Sequence, residues 1–195
     1  GTGGAGSAFV NMALYRKLPD EAKVSTDEKW VAQWGPGWEW LKSIHPYMYK
    51  SGGKVVYPNK NQGPLDLLIN KEVDLIPAWA DQVLTNISRG ILPESTKIYQ
   101  LTPSLSGTDV VLAVPNIGGG AEKCYDFINY VISPAAQKIC LETIFAVPVI
   151  DASLIDSSYK NVVKDLDVSG FTVISQGKLA DKRNQLWDAN IGRLP

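Results

Sequence analysis

The stretch from Val55 to Leu92 reads VVYPNKNQGPLDLLINKEVDLIPAWADQVLTNISRGIL. Its first residues, Val55–Tyr57, are a β-branched and aromatic run ended by a proline, which predicts a short strand. Apolar residues at helical spacing then predict a helix, Val73–Ile76 predicts a second strand, and a second helix closes at Gly90. Strand, helix and strand at this length predict a βαβ unit with parallel strands.

A loop follows each of these two predicted strands. Ligands of parallel sheets bind beyond the carboxyl ends of the strands, where such loops meet. We therefore expect a binding cleft that includes Asn59, Gln62, Trp79 and Asp81. The structural alternative stays open: Trp79 would pack in the core and Asp81 would only cap a helix.

The glycine-rich beginning of the chain, Gly1–Gly6, has dinucleotide-type spacing but lacks the Lys-Ser/Thr pair of a P-loop, so we expect no nucleotide site there. Residues 7–15 predict a helix that starts at Ser7. The free backbone N–H groups and the Ser7 hydroxyl of such a start can hold an anionic or hydroxylated group. A capped helix without a ligand is the alternative.

Composition narrows the classes of function. The chain has 195 residues, 45% of them hydrophobic and 20% charged, with a net charge of −1. This balance is typical of a globular protein and gives no attraction to nucleic acid, and no apolar run is long enough to span a bilayer. His45 is the one histidine, so neither a histidine metal cluster nor a Ser-His-Asp triad is indicated, and we expect no metal, no cofactor and no catalysis.

Helical spacing predicts a helical hairpin over Ala121–Ile132 and from Ser133 to about Ile144, with Ser133 and Pro134 at the second helix start. Cys124 and Cys140 fall on its inner faces, so they either form a disulfide, which an oxidising compartment would permit, or stay as two buried thiols. The aromatic cluster is expected to pack internally rather than to bind sugar. Its members are Trp30, Trp34, Trp38, Trp40 and Tyr47. Further predictions are strands at Lys97–Leu101, Asp109–Val114 and Phe171–Ile174 and helices at Ser153–Asp167 and Lys178–Ile191.

Several stretches together resemble one protein family. They are the segment from Lys71 through Trp79 to Leu92-Pro93, then Val111-Leu-Ala-Val-Pro115, Phe127-Ile-Asn-Tyr-Val-Ile-Ser-Pro-Ala-Ala-Gln137 and Ala146-Val-Pro-Val149. In this order they resemble bacterial solute-binding proteins of ABC importers, of the polyamine, iron and thiamine group. The resemblance implies an α/β, type II periplasmic-binding-protein-like fold: a mostly parallel sheet with flanking helices, with one full lobe plus part of the other. It also implies a C-terminal fragment that lacks the first part of lobe one.

The resemblance divides the chain into lobe two over residues 1–102, a hinge and return segment over 103–150, and a helical tail over 151–195. Ser106 and Gly107 would form the hinge, and Thr108 would lie on the cleft floor. The implied function is capture of a small solute between the lobes, closure, and delivery to a membrane permease and its ATPase, in the bacterial periplasm or another extracytoplasmic location.

One local match limits the classes of ligand that the resemblance implies. Trp79-Ala80-Asp81 resembles the Trp-x-Asp of polyamine binders, in which an aromatic ring and a carboxylate hold an amine. Gly107 stands where those proteins tend to carry an aromatic residue, so thiamine-like cations and other small solutes stay open. Iron is disfavoured because Tyr57, Tyr99 and Tyr125 are separated.

Two functions of other classes remain as alternatives: a ligand-sensing effector domain of a regulator, and a hydrolase or lyase built on the same βαβ parts. If the chain is a fragment, the return segment 109–150 would carry an unpaired sheet edge, which favours dimerisation.

Overall fold

The computed structural model describes residues 4–107, 111–157, 166, 170 and 172–194. About 52% of this part of the chain is helical, and its strands form two short two-stranded sheets. The prediction of an α/β, type II periplasmic-binding-protein-like fold with a mostly parallel sheet is therefore wrong.

The helices give the chain most of its regular structure. Within the described ranges they are α1 (Gly4–Tyr15), α2 (Asp20–Lys23), α3 (Gly35–Ile44), α4 (Gln62–Ile69), α5 (Ala80–Ser88), α6 (Ala121–Val131), α7 (Pro134–Ile144) and α8 (Leu179–Trp187). Short 3₁₀ segments lie at Glu28–Gln33, His45–Tyr47 and Ala152–Leu154, and α8 continues into a π-helical turn, Asp188–Gly192.

The strands are two residues long. Strands β1 (Lys50–Ser51) and β2 (Lys54–Val55) form an antiparallel hairpin, and β3 (Ser106–Gly107) pairs in parallel with β4 (Thr172–Val173). In the hairpin Lys50 lies opposite Val55, and the turn residues Gly52 and Gly53 have φ of 59° and 79°.

The predicted βαβ unit fails for local reasons. Positive φ at both turn glycines matches the twist of a tight hairpin, so Val55 pairs with the strand just before it and not with a distant parallel one. Val73–Ile76 lies in a loop in which Leu75 is 79% exposed, and the Pro77 that follows has no N–H to extend a ladder. Lys97–Leu101 is likewise no strand.

Contacts divide the chain into two compact units. The first unit comprises Gly1–Ala78, Gln100–Thr108 and Ser169–Pro195, and the second comprises Trp79–Tyr99 and Asp109–Val168.

The core of the first unit is aromatic, as the spacing of its tryptophans predicts, but the expectation that Tyr47 also packs internally is wrong, because Tyr47 is 86% exposed. Trp30, Trp34 and Trp38 are 6%, 0% and 5% exposed, and the Trp34 ring lies 5.7 Å from the ring of Tyr15 on α1. Helices α1 and α3 pack closely because Gly37 presents no side chain to α1. The predicted helix over Lys178–Ile191 is confirmed by α8 and the turn after it, and Leu179 and Ile191 join this core.

The second unit is built on α5, α6 and α7, and its buried core is Leu84, Leu141, Phe145 and Ile155. The predicted helical hairpin is confirmed: the Ser133 hydroxyl accepts a hydrogen bond from Ala136 N at 3.3 Å and caps α7. Most of the predicted helix Ser153–Asp167, and part of the predicted strand Asp109–Val114, lie outside the described residues. None of the described helices combines the length and the apolar character that a membrane crossing requires.

Candidate functional site

Two of the sequence-predicted elements meet in the first unit. Asn61 Oδ1 accepts a hydrogen bond from Ala5 N at 3.1 Å, so the loop before α4 is tied to the first turn of α1. Ser7 is half-buried in that turn, whereas Asn59 and Gln62 are exposed. The first N–H groups of a helix have no partner within the helix, and Asn61 satisfies one of them.

The side chain of Gln62 is already occupied. Its Nε2 donates to Asp66 Oδ1 at 2.7 Å, one turn along α4. The carbonyl of Asn59 accepts from Gly63 N at 3.3 Å as α4 begins. A solute at this loop would therefore have to exchange hydrogen bonds with the Gln62 amide rather than find it free.

Trp79 and Asp81 lie together at the start of α5 in the second unit. Trp79 is the extended N-cap residue with φ −82° and ψ 135°, and its side chain is half-buried. Asp81 is exposed in the first turn, and the ion pairs formed among the described residues do not include it. A carboxylate there stabilises the helix through the macrodipole and is also open to a cation, so both interpretations of Asp81 remain.

The predicted hinge residues have a structural role of their own. Ser106 and Gly107 form β3, where they lie opposite Thr172 and Val173, and Ser106 is 5% exposed. Thr108, the predicted residue of the cleft floor, lies outside the described residues. The boundary between the first and the second unit follows Thr108 in the sequence.

The two cysteines are free in the structure. Cys124 is exposed on α6 and Cys140 is half-buried on α7. Among the described residues no three His, Cys, Asp or Glu side chains group in a way that could hold a metal ion.

A buried polar cluster in the first unit escaped the sequence analysis. Arg183 is 9% exposed, and its Nη1 donates to Asn11 Oδ1 at 2.7 Å and to Gln176 Oε1 at 3.0 Å. Its Nε and Nη2 both donate to Asn184 Oδ1, at 3.2 and 2.9 Å. Its hydrogen-bond acceptors here are thus neutral amides, and burial lowers the pKa of Arg183 because the charged form loses solvation.

The first unit also contains buried donors without a hydrogen bond. The Tyr15 hydroxyl, Trp34 Nε1 and Gln176 Nε2 are all inaccessible to solvent and lack a partner with hydrogen-bond geometry. Burial raises the pKa of Tyr15, while the nearby Gln176, Trp34 and Arg183 act in the opposite direction. No motif could have revealed this cluster, because Asn11 and Arg183 are 172 positions apart.

A half-buried phenol, that of Tyr57, lies beside the histidine. Tyr57 O–H and His45 Nδ1 are 2.7 Å apart, and the Tyr57 ring packs edge-on against Trp187 with 5.0 Å between ring centroids. Burial raises the pKa of Tyr57 to about 12 because the phenolate would lose its hydration. This contact is structural: it joins the end of α3 to the segment after β2.

The second unit also carries an open apolar groove of about 360 Å³. One wall of the groove is formed by Leu112, Ala113 and Val114. The other wall is formed by residues of α6, namely Lys123, Cys124, Phe127 and Ile128.

No protein-family model, curated protein or solved structure matches the chain.

Proposed function

We propose that the chain is the ligand-binding part of a solute-binding protein of an ABC importer, and that it takes a small cationic amine. In this proposal it acts as a receptor and not as an enzyme, in an extracytoplasmic location, and delivers its solute to a permease and its ATPase. The family assignment rests on the sequence motifs alone, since the described residues form two short two-stranded sheets instead of the expected mostly parallel sheet.

The choice of an amine as the ligand depends on the exposure and the ion pairing of Asp81. Its carboxylate is exposed and has no ion pair among the described residues, and it follows the half-buried indole of Trp79 by two positions. An ammonium group gains from a carboxylate through a charge-assisted hydrogen bond and from an indole through cation–π attraction. A neutral or anionic solute gains neither.

The start of α1 supports a polar contact elsewhere on the receptor. Asn61 holds the first turn of α1 at Ala5, and the half-buried Ser7 lies in the same turn, where the first N–H groups have no partner within the helix. Ser7, Asn59 and Gln62 therefore stay as predicted polar contacts, each to be tested by itself.

The experiment is calorimetric titration with putrescine, spermidine and thiamine, with 1,4-butanediol as the uncharged analogue. The proposal expects binding of at least one amine and none of the diol. Asp81→Asn should weaken amine binding about tenfold to a hundredfold, because a charge-assisted hydrogen bond contributes about 1.5–3 kcal/mol. Trp79→Ala should weaken it as well.

Asp156→Asn is the matched control, because Asp156 is also an exposed aspartate of the second unit. It should bind the amine as the unmodified chain does. Absence of binding by all three amines, or equal losses in the two aspartate variants, would overturn the proposal.

A further inference from the structure

The groove of the second unit has an unusual wall. The segment from Val111 to Pro115 belongs to no helix or sheet, and no backbone hydrogen bond joins it to any described residue. Val111 and Leu112 are 74% and 50% exposed. A short run of β-branched and apolar residues with free N–H and C=O groups is a template for strand pairing.

The opposite wall is equally uncovered. Helix α6 has no buried residue, although Phe127 and Tyr130 are 57% and 55% exposed on it. An isolated helix of this length is marginal in water and normally gains its stability from packing of its apolar face. Helix and segment together form a contiguous apolar surface, and such surfaces on folded chains mark interaction sites.

The chemistry of the groove specifies its occupant. An unpaired backbone wall takes an extended strand, and apolar walls take uncharged side chains. The chain itself contains an uncharged segment of this kind: from Val110 to Gly119 its sequence has no charged residue. The same segment therefore has the properties of both the template and the ligand.

We propose that Val111–Ala113 pairs in antiparallel fashion with the same three residues of a second copy of the chain. The two-fold axis passes at Leu112, so that each Leu112 lies opposite the other and Val111 lies opposite Ala113. This register places apolar residues opposite apolar residues, and Pro115, which has no N–H, lies beyond the end of the ladder. Because the pairing is two-fold, both copies use the same edge of the segment.

The inference goes beyond solute binding, since it uses neither Trp79 nor Asp81. Pairing of the two strands also brings each α6 toward the shared apolar layer, which covers Phe127 and Ile128. If the chain binds no amine, the dimer proposal is unaffected. If the chain is a monomer, the proposal of amine binding is unaffected.

The test uses opposite charges at the axis. In sedimentation velocity over a concentration series, the unmodified chain should be a dimer that dissociates on dilution. Leu112→Lys and Leu112→Glu should each raise the dissociation constant by roughly tenfold or more, because like charges then lie directly opposite each other. An equimolar mixture of the two variants should restore the dimer, because lysine then lies opposite glutamate.

Leu75→Lys is the control, because Leu75 is an exposed leucine of the first unit at 79% exposure. It should leave the dimer unchanged, and circular dichroism should show the same helix content in all variants. A monomer at every concentration overturns the proposal. So does a dimer that survives both charges, or a mixture of the two charged variants that stays monomeric.

Discussion

Arg183 Nη1 lies 2.7 Å from Oδ1 of Asn11, which joins α8 to α1 across 172 positions of the chain. The same nitrogen donates to Gln176 Oε1, and Arg183 is 9% exposed. A buried cation held by neutral amides depends on every one of those bonds, because an amide that loses its donor is left unsatisfied in the interior. The contact therefore fixes the C-terminal helix on the first unit.

Replacing Arg183 by methionine should lower the free energy of unfolding by about 2–4 kcal/mol, since the acceptors on Asn11 and Gln176 lose a charged donor while remaining buried. Urea unfolding followed by circular dichroism measures the change. Arg193→Met is the matched control, because Arg193 is exposed, and it should change the free energy by less than about 0.5 kcal/mol. Equal effects of the two substitutions would show that the buried network contributes nothing.

Ionisation of Tyr57 should make the free energy of unfolding depend on pH at high pH. Its pKa is raised from 10.0 to about 12 in the folded chain, so the folded state holds the phenolic proton more tightly than the unfolded state. This stabilisation is fully present below pH 10 and is lost as the pH rises through about 12. The free energy of unfolding of the unmodified chain should fall across this window.

The free energy of unfolding of the Tyr57→Phe variant should fall less steeply over the same pH range, because phenylalanine has no proton to lose. Tyr47→Phe, a change at an 86% exposed tyrosine, should keep the slope of the unmodified chain. The difference between the two variants isolates Tyr57 from the other groups that titrate at high pH. Parallel slopes in both variants would contradict the prediction.

The helices could be predicted from the sequence because their signals are local. Ser133 and Pro134 mark the start of α7 by residue type alone, and the apolar spacing after Pro64 places α4. The strands could be predicted only in part: β4 lies inside the predicted strand Phe171–Ile174, whereas a run such as Val73–Ile76 becomes a strand only if a partner pairs with it. In the hairpin the two glycines supply a nearer partner than any parallel strand.

The site could be predicted only in part, for the same reason. Asn61 has the residue type of an N-cap, yet its side chain leaves α4 uncapped and instead binds Ala5, which is 56 positions away. Spacing along the chain contains no information about such a contact. The Arg183 cluster is the extreme case, since each of its amides is unremarkable in its own segment.

Gln137, the last residue of the motif Phe127–Gln137, connects the end of α6 to the segment that follows α7. Its Nε2 donates to the carbonyl of Val131 at the end of α6, and its Oε1 accepts from Val149 N, each at 2.9 Å. Gln137→Leu should lower the free energy of unfolding by about 1–3 kcal/mol, because two backbone groups lose their hydrogen-bond partner. Gln185→Leu, at an exposed glutamine, is the control; denaturant titration of both variants shows whether the loss is specific to Gln137.

The closest approach of α1 and α3 depends on Gly37. A Cβ at this position would lie 2.6 Å from the carbonyl oxygen of Ala13 and 2.7 Å from Cα of Leu14, and both are backbone atoms that cannot turn aside. Gly37→Ala should therefore force the helices apart and lower the free energy of unfolding by about 1–3 kcal/mol, despite the better helix propensity of alanine.

Gly35→Ala is the matched control, because a Cβ on Gly35 meets no atom within 4 Å. It should leave stability unchanged or raise it slightly. Thermal unfolding of both variants distinguishes the effects: a lowered midpoint for Gly37→Ala alone supports the close helix contact. A Gly37→Ala chain as stable as Gly35→Ala would mean that α1 and α3 do not pack at this distance in solution.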